Sequence, residues 1–127
     1  MRILVAEDER ELARVITVIL ERANFSVDTV LRGDDALSYL SADNYDGAVL
    51  DIMMPDLDGY EVIKHLKADP VTQDIPVIFL TALHNPEDIV KGFKLGASDY
   101  VSKPFNHEEL ITRVSHHIYL AAAQRTI

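Results

Sequence analysis

At 127 residues the chain fits one domain with room for a sizeable core, and 48% apolar residues exclude a disordered segment. Cysteine is absent, which excludes disulfides and thiolate chemistry and suits a cytoplasmic protein. A formal net charge of −9 argues against direct DNA or RNA binding, which needs a basic face, and admits a cation as one of the ligands.

Residues 2–6 are an apolar run closed by Glu7-Asp8, too short and too soon acidic for a signal peptide or a membrane span. Residues 9–23 place Leu12, Val15, Ile16, Ile19 and Leu20 at helical spacing. Residues 25–30 alternate as a strand does, and residues 33–42 carry Ala36, Leu37 and Leu40 on one helical face. Residues 47–51 form the next strand. Pro55 and Gly59 shape the turn after it, the glycine suited to positive φ. Val62, Ile63 and Leu66 mark a helix over 60–68, and residues 76–81 (PVIFLT) are the most hydrophobic strand. Asn85-Pro86-Glu87-Asp88 is a helix start with Asn as N-cap, Pro at N1 and acids in the first turn. That helix runs to about Leu95 and stops at Gly96. A short strand covers 99–101. Asn106-His107-Glu108-Glu109 opens the last helix, with Glu109 in the capping-box position and Leu110, Ile111, Val114 and Ile118 following. Apolar strands alternating with amphipathic helices define an α/β domain, a parallel sheet covered on both faces. The domain is expected over 1–120, with 121–127 as a helical extension.

Ligands of an open α/β sheet bind outside the carboxyl ends of its strands. Glu7 and Asp8 follow the first strand, Asp51 ends the third, Thr81 the fourth, and Lys103-Pro104 follow the fifth. Each alone reads as a cap or a surface charge; the ordered set is far more specific. A buried, unpaired carboxylate such as Asp51 is costly. Three clustered acids repel unless one is protonated or a hard cation joins them. Mg²⁺ suits oxygen donors and binds phosphate as well. Lys103 neutralises the remainder and pairs a phosphoryl oxygen, and Thr81 donates a hydrogen bond to it. In this constellation Asp51 is the nucleophile that takes up a phosphoryl group.

The segments "ILVAEDE" (3–9), "LDIMMPDLDGYE" (50–61), "PVIFLTAL" (76–83) and "GASDYVSKPF" (96–105) resemble the receiver domain of two-component response regulators, over nearly the whole chain. The resemblance implies a doubly wound, flavodoxin-like sheet of five parallel strands in the order 2-1-3-4-5 with five helices. That order is carried over from the family. It implies Asp51 as phosphoryl acceptor, Asp8 as direct Mg²⁺ ligand, Glu7 as a second acid acting through water, and the Met53 carbonyl on the metal. Thr81 and Tyr100 resemble the switch pair, Lys103 the phosphate-binding lysine, and Lys103–Pro104 is expected to be cis. The partner is then a histidine kinase or histidine phosphotransfer protein. The output face is helix four, strand five and helix five, a candidate homodimer interface through Lys91, Asp99, Glu109 and Arg113, although Ser98 replaces an acid common there.

Met53 and Leu83 occupy two positions that tune phosphoryl lifetime in the family, and neither side chain orients a hydrolytic water, so a long-lived phosphorylated form is expected. The alternative function is a phosphorylation-independent interaction domain, although such receivers usually lose an acid, the Thr or the Lys. A haloacid-dehalogenase-type hydrolase needs a second Asp where Met53 stands. The chain is thus expected to be a signalling switch that catalyses only its own phosphorylation and dephosphorylation, not a metabolic enzyme. His65, His84, His107, His116 and His117 show no chelating spacing and are read as surface residues.

Overall fold

The computed structural model describes residues 1–125. Five strands alternate with five helices: β1 Arg2–Ala6, α1 Arg10–Arg22, β2 Ser26–Val30, α2 Gly33–Ala42, β3 Gly47–Asp51, α3 Gly59–Ala68, β4 Val77–Thr81, α4 Pro86–Leu95, β5 Asp99–Ser102 and α5 His107–Arg125. All neighbouring strands pair in parallel, in the order β2-β1-β3-β4-β5. Residues 126 and 127 of the expected extension lie outside the described residues; α5 continues without a break to Arg125.

Two cores follow from the period-2 alternation of side chains across the sheet. Leu4, Ala6, Ala48, Leu50, Val77 and Phe79 face Ala36 and Leu40 of α2 and Val62, Ile63 and Leu66 of α3. Ile3, Val5, Val49, Ile78, Leu80 and Val101 face Ile16, Ile19 and Leu20 of α1 and Leu110, Val114 and Ile118 of α5. Strands buried on both faces carry unbroken apolar runs, which is why β3 and β4 contain nothing polar before their last residue. Val15, read as a core position, is exposed; α1 buries Ala13 in its stead, because the helix leans its 13–16–20 stripe onto the sheet. No helix among the described residues is long and apolar enough to cross a membrane.

The caps follow the local sequence. Asn85 Oδ1 accepts from Glu87 N at 3.1 Å, and Gly96 ends α4 at φ 112°. Asp58 Oδ1 accepts from Glu61 N at 2.9 Å and starts α3. Asn106 Oδ1 accepts from Glu108 N and Glu109 N at 2.8 and 3.3 Å. The capping box of α5 is only half made, because the Glu109 carboxylate turns to Arg113 instead. In the loop after β3 the positive φ falls on Asp56 and not on Gly59. Gly59 is needed for close approach, since a Cβ there would lie 2.8 Å from the Asp51 carbonyl oxygen.

Candidate functional site

The sheet register brings the sequence-predicted residues to one edge. Ala6 pairs with Leu50, Asp51 with Leu80, and Thr81 with Ser102. Backbone bonds continue one residue beyond: Glu7 N donates to Val30 O at 3.1 Å and Lys103 N to Thr81 O at 2.8 Å. The backbones of Glu7 and Lys103 are therefore held by the sheet. Carboxylate oxygens of Glu7, Asp8 and Asp51 all lie within 4.8 Å of one another. Glu7 is 1% exposed and Asp51 5%, whereas Asp8 faces solvent.

Lys103 supplies the compensating charge. Its Nζ donates to Asp51 Oδ2 at 3.1 Å and lies 2.6 Å from Glu7 Oε1. The second contact is an ion pair without hydrogen-bond geometry, so Glu7 Oε1 is buried with no hydrogen-bond partner. Burial opposes the charge of Lys103, but Glu7 and Asp51 outweigh it and raise its pKa above the ordinary lysine value. Asp8 is raised as well, by burial of its carboxyl group and by the neighbouring Glu7. The remaining Asp51 oxygen, Oδ1, accepts from Met53 N at 3.2 Å. Thr81 is buried, and its hydroxyl oxygen accepts from Leu83 N at 2.8 Å, which leaves its proton free to donate at the edge. The Met53 side chain is 65% exposed beside Leu83 in a cleft that Asp8 and Tyr60 also line.

Three carboxylates against one ammonium leave a formal excess of two negative charges at the edge. Hard, oxygen-only donors of this kind fit a divalent cation such as Mg²⁺. The donor set therefore suits the metal that the motif implies.

Tyr100 lies inward. Its hydroxyl donates to the Asp88 carbonyl at 3.1 Å, and its ring packs on Phe79 and Phe93, with centroids 5.6 and 5.1 Å away. The Lys103–Pro104 bond is cis. Of the four charges assigned to the output face, three meet within the molecule: Arg113 Nη1 donates to Asp99 at 3.0 Å, and its Nε is 3.5 Å from Glu109. Lys91 turns to α3, its Nζ 4.3 Å from the centre of the Tyr60 ring.

His65, His84, His107 and His116 are exposed, but His117 is not a surface residue: it is half-buried, with Nε2 3.0 Å from Asp99 Oδ2. Burial opposes ionisation of Asp99, yet the Tyr100 N–H, His117 and Arg113 outweigh it and hold its pKa below the usual carboxylate value. Sequence reading also passed over Tyr60 and the Arg32–Asp56 ion pair between the β2–α2 and β3–α3 loops. The available signal for Tyr60 is its place at the start of the helix that follows the Asp51 loop; nothing local marks Arg32.

The family model for the response regulator receiver domain matches residues 3–115. The chain is 42% identical over 114 residues to the transcriptional regulatory protein DltR of Streptococcus agalactiae, covering 90% of this chain and 50% of DltR. It is 41% identical over 113 residues to the phosphate regulon transcriptional regulatory protein PhoB of Escherichia coli, covering 89% of this chain and 49% of PhoB. The receiver domain of Francisella response regulator 1452 superposes with a TM-score of 0.87 at 36% identity, over 99% of this chain and 98% of that one. The chain belongs to the response regulator receiver domains, the signalling modules of two-component systems. It spans about half the length of these curated relatives.

Proposed function

We propose that the chain is a phosphorylation-dependent switch in which Asp51 accepts a phosphoryl group from a phosphohistidine of a histidine kinase or phosphotransfer protein. The observation that carries this is the position of Asp51, at the end of a buried strand, within reach of two further acids and bonded to Lys103. Lys103 and the Met53 N–H orient the Asp51 oxygens toward the open edge. An Asp51 oxygen forms the new O–P bond, the donor's P–N bond breaks, and the imidazole leaves with that electron pair. Glu7 and Asp8 would hold Mg²⁺ with Asp51 and the Met53 carbonyl; when bound, the ion neutralises charge on the phosphoryl oxygens. Lys103 and the Thr81 hydroxyl take other oxygens of the same group, and the movement of Thr81 secures the inward position that Tyr100 already holds. The changed face is α4, β5 and α5, which controls an output or a second copy of the chain. This is autocatalysis of one modification in the cytoplasm, not turnover of a metabolite. We further read residues 1–120 as the receiver unit and 121–127 as its continuation toward an output domain.

Transfer of a radiolabelled phosphoryl group from an autophosphorylated histidine kinase tests this. Label is expected on the wild type in Mg²⁺ and not on Asp51→Asn. Label on the variant would contradict the assignment. Met53 and Leu83 beside Asp51 bring no polar group to orient water, so the phosphorylated form is expected to persist for minutes or longer; decay within seconds, followed by intact mass, would contradict that.

A further inference from the structure

Tyr60 stands in the first turn of α3 and is buried. Its hydroxyl donates at 3.1 Å to the Asp88 carbonyl, in the first turn of α4. The Tyr100 hydroxyl, arriving from β5, donates to the same carbonyl, also at 3.1 Å. Both rings pack on Phe79 of β4, Tyr60 edge-on at 5.8 Å and Tyr100 tilted at 5.6 Å. One carbonyl oxygen thus ties α3, α4 and β5. Tyr100 reaches it because residue 92 is glycine: a Cβ there would lie 1.7 Å from the Tyr100 hydroxyl oxygen. Burial raises both phenols first, helped at Tyr60 by Asp88 and Asp58 and at Tyr100, which reaches about 12, by the adjacent Tyr60 phenol, so each remains a neutral donor.

We propose that Tyr60 is a positioning residue for Tyr100: its hydroxyl holds the Asp88 carbonyl, and with it the first turn of α4, where Tyr100 needs it in order to lie inward. The inference rests on the reading of Tyr100 as the switch aromatic. α4 is weakly embedded, burying only Gly92, so two hydrogen bonds to its first turn are a large share of what locates it. The Asp88 carbonyl accepts both hydroxyls besides its place in the α4 ladder, and a half-buried hydroxyl that loses its acceptor there pays part of its desolvation. Release of α4 by loss of the Tyr60 hydroxyl therefore costs Tyr100 its acceptor. Tyr60 also lines the cleft shared by Asp8, Met53 and Leu83, so a change at Asp51 has a route to α4 in addition to Thr81.

Fluorine NMR of the resting protein, labelled uniformly with fluorotyrosine, tests this. Each of the five tyrosine signals is assigned by its Tyr→Phe variant. In Tyr60→Phe the Tyr100 signal is expected to move toward that of free fluorotyrosine and to gain sensitivity to solvent deuterium. Gly92→Ala, which evicts the Tyr100 hydroxyl, supplies the displaced reference. Tyr39→Phe, exposed on α2, is the unaffected control. A Tyr100 signal that moves no more in Tyr60→Phe than in Tyr39→Phe would overturn the inference. So would an equal movement of Tyr45, bonded to Asp28 at the far end of the sheet, since that reports general loosening. The resting protein decides this whether or not Asp51 takes up a phosphoryl group; absence of uptake, read separately by intact mass, contradicts the switch reading alone.

Discussion

Lys103 sets the electrostatics of the sheet edge at Asp51. It is the sole cation in contact with Glu7 and Asp51 among the described residues, and the two carboxylates raise its pKa. A raised folded pKa means that the stabilisation is complete below the unfolded lysine value of 10.5 and is lost as pH climbs through the higher folded one. Replacing Lys103 by Met is expected to lower stability at neutral pH by about 1–3 kcal/mol, because two buried carboxylates lose their partner. The gap between variant and wild type is expected to stay level up to roughly pH 10 and to narrow above it, as urea titrations across pH would show. Phosphoryl uptake is expected to slow by about 100-fold or more, the usual effect of removing one preorganised donor to a developing charge. A variant as stable at pH 7 as the wild type and equally quick to take up phosphate would remove Lys103 from the account.

At the scale of elements, the loop after β3 is where position depends on a neighbour. α2 begins at Gly33, and a Cβ there would lie 1.7 Å from the Leu57 carbonyl oxygen. Arg32, just before it, pairs with Asp56 of the same loop. The start of α2 thus rests directly on the segment that follows Asp51. Gly→Ala inside a helix ordinarily stabilises by about 1 kcal/mol. At Gly33 the opposite sign is expected, a loss of about 1–3 kcal/mol in urea unfolding, because a backbone atom cannot step aside as a side chain can. A stabilised Gly33→Ala would show that α2 is free to lift from the loop.

At the scale of the molecule, the charge of Asp8 works against folding until a cation joins it, since burial and the neighbouring Glu7 raise its pKa. Asp8→Asn is expected to melt above the wild type without metal, since it relieves repulsion with Glu7. Adding Mg²⁺ is expected to raise the wild-type melting temperature by mass action and to raise that of Asp8→Asn much less. Equal metal responses would contradict Asp8 as a ligand. How far the sequence discloses this arrangement follows from the same physics. β3 and β4 are legible because strands buried on both faces must be continuously apolar, so the first polar residue marks the strand end and hence the site. Asp51 and Thr81 are found by that rule; Lys103 is not, because β5 opens on Asp99 and closes on exposed Ser102, and only the longer motif around it marks it. Val15 and His117 are not, because one residue of twist on a helix decides whether a side chain meets core, partner or solvent. Gly59 was legible as a required glycine but for the wrong reason, since crowding against the Asp51 carbonyl and not φ requires it. The shared acceptor of Tyr60 and Tyr100 depends on three elements far apart in the chain, and no local pattern records it.

The most direct test of the central claim is intact mass spectrometry after incubation with acetyl phosphate and Mg²⁺. The wild type is expected to gain the mass of one phosphoryl group, and Asp51→Asn or the wild type without divalent metal to gain none. A folded wild type that binds Mg²⁺ and gains no mass, or an Asp51→Asn variant that gains it, would contradict Asp51 as the acceptor.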